Sequence, residues 1–167
     1  MSVRGFRFAC IVVALLLASF AAGAVPAASA PARPTLVIKT LGGKTFDLAA
    51  HRGQWVIVNF WATWCSPCIA EMPAISKFVA SHKKVTAIGL AYQPEPLDVV
   101  LKFAHEHPVD YPLARLDMQH PPAGLTMPVG LPTTDLIAPD GHLAKRFIGP
   151  VNATLLGDAI AAASKSH

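Results

Sequence analysis

"WVIVNFWATWCSPCIAEMP", residues 55–73, is the stretch on which the fold turns. Trp55 to Ala62 is a nearly continuous apolar run, the pattern of a strand buried on both faces. From Pro67 the period changes. Ile69, Met72, Ile75 or Ser76, and Val79 recur at three and four, which predicts a helix with a kink at Pro73. Cys65 and Cys68 fall at the junction between the two elements. On the N-terminal side, TLVIKT (35–40), LGGK and TFDL predict a hairpin with a Gly-Gly turn, and HRGQ leads into the buried strand. On the C-terminal side, VTAIGLAY (85–92) predicts a second buried strand, and PLDVVLKFAHEH (96–107) an amphipathic helix closed by His105, His107 and Pro108. TTDLIA, the turn PDG and HLAKRFIG (142–149) form a second hairpin; NATLLGDAIAAASK is a last helix capped by Asn152. This order predicts an α/β fold, a central mixed β-sheet flanked by helices with an N-terminal β-hairpin.

The chain has 167 residues, 53% of them hydrophobic, enough for one domain with an ordinary core. Basic residues outnumber acidic ones 14 to 10, but Arg4 and Arg7 lie in the N-terminal segment, and without them the balance is 12 − 10 = +2. That is too small to argue for nucleic acid or for anionic membrane surfaces. MSVRGFRF, the apolar run from Cys10 to Phe20 and the alanine-rich stretch after it have the layout of a secretory signal. Cleavage is expected before Val25, after Ala22-Gly23-Ala24; the alternative site at Ala28-Ser29-Ala30 would leave Pro31 after the cut. The competing reading is an uncleaved anchor, since the uncharged stretch from Phe8 to Ala32 approaches the roughly 20 residues that cross a bilayer. The expected organisation is therefore a signal peptide or anchor at 1–24, an Ala/Pro-rich linker at 25–34 and one domain at 35–167. Either reading exports the domain to the periplasm or beyond, tethered to the inner membrane only if the N-terminus is retained.

Export leaves Cys65 and Cys68 as the cysteines of the mature domain, because Cys10 lies in the signal and Arg7-Phe8-Ala9 does not resemble a lipoprotein box. A bridge across two intervening residues closes too small a loop to remove much unfolded-state entropy, so the pair is a poor staple. Structural zinc needs four ligands and no second Cys pair exists. Covalent haem needs histidine after the second cysteine, where Ile69 stands. Dithiol–disulfide exchange is the strongest remaining reading, ahead of metal binding and of inert buried thiols, and it calls for no cofactor. A helix N-terminus lowers a thiol pKa from its free value of about 8.5, which makes Cys65 the nucleophile. Cys68, one turn deeper, resolves the mixed disulfide. Pro67 suits the first helical turn and restricts the dipeptide between the sulfurs.

"FWATWCSPC" together with "GLPTTDLIAPDG" (130–141) resembles the thioredoxin superfamily, and within it the TlpA/ResA/CcmG-like thiol-disulfide oxidoreductases, over about residues 35 to 165. The resemblance implies a thioredoxin-like fold. It also implies a cis-proline at Pro132 facing the active-site disulfide, with Leu131 offering backbone hydrogen bonds to an extended substrate, a form of strand addition. Position alone would make Pro132 a turn proline, since cis bonds are about 5–6% of X–Pro. Trp64 and Pro67 join Leu131 and Pro132 as expected substrate contacts. For Trp61 and Trp64, which flank the pair, packing in the core and at its rim stands level with a role in shielding the sulfurs or touching substrate.

Glu71 lies three residues beyond Cys68, on the same helical face. Spacing alone makes it a solvated acid near a helix start; the resemblance gives it a role in tuning the cysteine titrations. Asn59 stands where thioredoxin has a buried acid as proton acceptor, so the Cys68 proton goes to Glu71 or to water. Asp135 departs from the family's Thr-Thr-Phe, and either points outward at a bulge or pairs with Lys145 or Arg146 on the next strand. "GLPTT" favours the general ResA/TlpA branch over CcmG. Met118, His120 and Met127 share one loop and could in principle hold Cu(I), although ordinary packing explains them better, and His105 and His107 diverge on their helix.

The expected function is an exported oxidoreductase working as a reductant, because Ser-Pro lacks the histidine of strongly oxidising Cys-x-x-Cys centres. The resemblance implies protein disulfide clients, either the haem-binding cysteines of apocytochrome c or the copper-site cysteines of a respiratory oxidase, and an upstream membrane thiol as electron donor. The alternatives are a copper-binding chaperone holding the metal on Cys65 and Cys68, and an oxidising or isomerising thioredoxin-like protein.

Overall fold

The computed structural model describes residues 33–122 and 124–165. The expected signal or anchor, its cleavage point, Cys10 and all of the linker but Arg33 and Pro34 lie outside those residues.

The chain starts with a two-stranded antiparallel hairpin, β1 (Val37–Lys39) and β2 (Thr45–Asp47), turned at Gly43, whose φ of 80° is open to glycine and costly for other residues. A 3-10 turn, Leu48–His51, follows; the Asp47 side chain caps it by accepting from Ala49 N at 2.9 Å. Then come β3 (Trp55–Trp61), α1 (Ser66–Ser81), β4 (Val85–Ala91), α2 (Leu97–Glu106), β5 (Leu113–Arg115), β6 (Thr133–Ile137), β7 (Leu143–Ile148) and α3 (Ala153–Ser164). The expected α/β architecture is present, and α1 continues through Pro73.

The five main strands form one mixed sheet in the order β5-β4-β3-β6-β7. β3, β4 and β5 run parallel, while β6 pairs antiparallel with β3 and β7 with β6. β3 is central and all seven of its residues are buried. Its side chains alternate between two cores. Ile57 and Trp61 join Cys68, Met72, Ile75, Phe103 and Leu156 in the first. Val56, Val58 and Phe60 join Leu36, Phe46, Leu48 and Leu125 in the second, under the N-terminal hairpin and the loop that precedes β6. Each such large side chain contributes about 1.5–3 kcal/mol on burial, so β3, feeding both cores, anchors the domain. α1 and α2 end alike: His82 stacks on Phe78 and His107 on Phe103, with ring centroids 4.0 and 4.1 Å apart.

β5 was not foreseen. It has three residues, too few for a period of two to register, and it forms because β4 offers it a parallel edge.

Candidate active site

Cys65 is the N-cap of α1, in extended backbone with φ −89° and ψ 91°, and its Sγ accepts from Cys68 N at 3.3 Å. The two cysteines form a disulfide with their Cα atoms 5.3 Å apart. The strand-to-helix switch inferred from the sequence thus sets one sulfur on the dipole end of α1 and the other a turn inside it. The sulfurs are not equivalent: Cys65 keeps 5% of its surface exposed and Cys68 none, while Trp64 beside them is 60% exposed. Pro67 sits in the first turn of α1, exposed.

The loop before the cysteines is clamped by a residue that carried no sequence signal. Gln93, fully buried just past β4, accepts from Thr63 N at 2.6 Å through Oε1. Two positions before Cys65, this bond holds the Ala62–Trp64 turn against the sheet.

Beneath the disulfide lies Glu71, with 4% of its surface exposed, so the solvated acid suggested by spacing does not hold. Its Oε1 accepts from Asn59 Nδ2 at 2.7 Å and its Oε2 from Val151 N at 2.7 Å. Asn59 Nδ2 also donates to Thr134 Oγ1 at 3.0 Å. Every one of these donors is neutral. Burial therefore pushes the Glu71 carboxyl above the ordinary carboxylate range, and the bonds from Val151 and Asn59 pull only partly against it. Tyr111 lies close enough for the Glu71 charge, together with burial, to push its phenol up as well. Val151 and Thr134 could not have been foreseen, since a backbone N–H 80 residues away leaves no mark in a helix pattern.

The Leu131–Pro132 peptide bond is cis. Thr133, the next residue, opens β6 opposite Phe60, so the bond lies at the same end of the sheet as the Cys65 turn. Two bonds fix it: Gly149 N donates to Pro132 O at 2.9 Å, and Thr133 Oγ1 donates to Gly130 O at 2.7 Å. Leu131 packs against the core that contains both cysteines.

Asp135 does not point outward. It is 2% exposed, stands opposite Arg146 in the β6–β7 register, and receives Nε and Nη2 of that guanidinium on its two oxygens at 2.6 Å each. The irregularity in the pairing falls one step later, between Leu136 and Ile137. Lys145, the other candidate partner, instead lies 4.9 Å over the Phe147 ring.

In the loop before β6, His120 pairs with Asp117 at 3.0 Å, Met127 packs against the second core and Met118 stays exposed. Among the described residues, no three of His, Cys, Asp and Glu gather as a metal site.

Comparison with known proteins agrees with this geometry. A model of the AhpC/TSA family matches residues 25–146. The chain is 34% identical over 118 residues to the thiol-disulfide oxidoreductase ResA of Bacillus anthracis, covering 70% of this chain and 67% of that protein. It is 29% identical over 129 residues to ResA of Bacillus subtilis, covering 75% and 70%. Among solved structures, StoA from Bacillus subtilis superposes with a TM-score of 0.61 at 25% identity, over 77% of this chain and 98% of that one. A putative thioredoxin from Neisseria meningitidis does so with a TM-score of 0.69 at 23% identity, over 81% and 91%. With an oxidisable Cys-Ser-Pro-Cys at the head of α1 and a buried carboxylate below it, the chain belongs to the AhpC/TSA family and is a thiol-disulfide oxidoreductase of the ResA-like branch of the thioredoxin superfamily.

Proposed function

We propose that the protein is exported and reduces selected protein disulfides, taking its electrons from an upstream membrane thiol. The observation that carries this reading is the unequal pair: a sulfur at the surface end of a helix dipole over one that is sealed, with a carboxyl of raised pKa beneath. In reduced protein, the Cys65 thiolate attacks one sulfur of the client disulfide, forming a mixed disulfide and releasing the other client sulfur as thiolate. Cys68 then gives up its proton to Glu71 or to water and attacks Cys65 Sγ. The second client sulfur leaves, the client has gained two electrons, and the Cys65–Cys68 disulfide has formed. The donor dithiol returns the pair to its reduced state. A carboxyl held above the usual range is suited to taking and returning that proton near neutral pH.

The client strand lies along the Leu131–Pro132 peptide, with Trp64 and Pro67 at its edge; the exposure of Trp64 supports this contact. Clients of this chemistry include the haem-binding cysteines of apocytochrome c and the copper-site cysteines of an oxidase. Export rests on the N-terminal sequence; among the described residues no helix is long and apolar enough to cross a membrane.

Equilibration of protein beginning at Val25 against glutathione or dithiothreitol tests the direction. A potential near that of thioredoxin, about −270 mV, is expected; one near that of DsbA, about −120 mV, would make the protein an oxidant.

A further inference from the structure

The loop from Asp117 to Leu131 covers the second core and delivers the cis-proline to the active site, so whatever fixes the loop fixes the client contact. Besides the packing of Leu125 and Met127 and the bond to Gly130 O, two contacts hold its middle. Gly124 lies so close to Thr35 that a Cβ there would run into the Thr35 backbone. Two residues on, Thr126 O accepts from Arg146 Nη2 at 2.8 Å. That guanidinium is itself held on both oxygens of buried Asp135 at 2.6 Å, so the two Nη2 protons are divided between a β6 carboxylate and a loop carbonyl. Beyond Thr126, Met127 packs on the second core and Pro128 is buried; the segment turns outward at Val129, 89% exposed, before Leu131 returns to pack on the core.

Asp135 is buried and Arg146 half-buried, and an ion pair in such a place is a poor way to gain stability, because desolvation consumes much of the attraction and an apolar pair of similar volume serves as well. An apolar pair cannot select one carbonyl. We propose that Asp135 and Arg146 form a positioning device for client binding: the carboxylate orients the guanidinium, and the guanidinium grips Thr126 O and sets the path of residues 127–131, which present Leu131 and Pro132 to the client beside Cys65. The device rests on the reading of Leu131–Pro132 as the client contact. Arg146 is a positioning residue that touches neither client nor sulfur. The planar fork makes the arrangement possible, since one ammonium cannot bridge both oxygens and also reach the loop.

Arg146→Lys keeps the charge and loses the fork. The experiment compares the rate constants with which reduced protein reduces a disulfide-bonded peptide and a small disulfide such as glutathione disulfide, alongside amide hydrogen exchange of residues 124–131. The expected result is a fall of about threefold to tenfold in the peptide-to-small-disulfide ratio, the net worth of one ordinary hydrogen bond, together with faster exchange in the loop. The double variant Asp135→Asn/Arg146→Gln, which buries no lone charge, should lower the ratio at least as much and keeps the test open if the lysine variant folds poorly. Faster exchange or lower stability with an unchanged ratio would overturn the proposal, leaving a merely structural pair. Pro132→Ala separates the two levels. If it lowers the ratio and the Arg146 variants do not, the positioning device fails alone; if it too leaves the ratio unchanged, the client contact falls, and the proposal with it.

Discussion

Thr134 and Asp135 are neighbours on β6 and, by the alternation of a strand, face opposite sides of the sheet. Each side holds a buried carboxylate. On the α1 side, Glu71 meets an amide, a backbone N–H and, through Asn59, a hydroxyl, all neutral. On the other side, Asp135 meets a guanidinium on both oxygens. The carboxylate without a countercharge is pushed toward protonation and can exchange a proton, whereas the bidentate carboxylate holds the Arg146 proton even more firmly and fixes a charge in place. In the roles proposed above, one acid serves chemistry and the other serves position, and the partner decides which.

The largest expected effect tests the charged side. Arg146→Met leaves Asp135 buried without its cation and should cost about 3–5 kcal/mol in urea unfolding. Asp135→Asn combined with Arg146→Gln should cost far less, because no lone charge remains. If the single and double variants cost the same, Asp135 does not depend on Arg146 for compensation and the contrast between the two acids disappears.

The neutral side has a smaller expected effect. Asn59→Ala removes the donor to Glu71 Oε1, and a buried carboxylate oxygen that loses its partner should cost about 1–3 kcal/mol. It also removes one of the two bonds that pull the Glu71 carboxyl down, so the carboxyl should titrate higher than in wild type when followed by infrared difference spectroscopy. A titration that stays put would mean that burial alone sets it.

The two sides were not equally legible in the sequence. The strand-to-helix switch at Cys65, the helical spacing of Glu71 and the antiparallel pairing of 133–137 with 143–148 are local patterns, and the structure keeps all three. Asp135 stood out as an anomaly, yet the choice between Lys145 and Arg146 depends on register, which a one-residue slip reverses. The bonds from Val151 N to Glu71, from Thr63 N to Gln93 and from Arg146 to Thr126 O join residues 80, 30 and 20 positions apart. All three use a backbone atom of a kind that nearly every residue possesses. Composition and periodicity carry no trace of such contacts, and those to Glu71 and from Arg146 set the surroundings in which the two acids differ.

The smallest effect is the most discriminating, because it is a slope. Glu71 has a folded pKa raised above its unfolded value, so the folded state binds its proton more tightly. Its contribution is fully present below the ordinary carboxylate pKa of about 4.3 and is lost as pH rises through the raised folded value. Glu71→Gln removes that titration. Its stability relative to wild type should therefore improve as pH rises from about 4 through the raised value and then level off. A glutamine can still accept from Val151 N, and it could donate to Asn59 Oδ1, which has no other partner among the described residues, so the fold should tolerate it. The same change should alter the pH profile of disulfide exchange while leaving the Arg146 clasp intact. A Glu71→Gln stability curve parallel to wild type across that range would mean that Glu71 has the same pKa folded and unfolded, and the two buried acids would then differ in their partners but not in their chemistry.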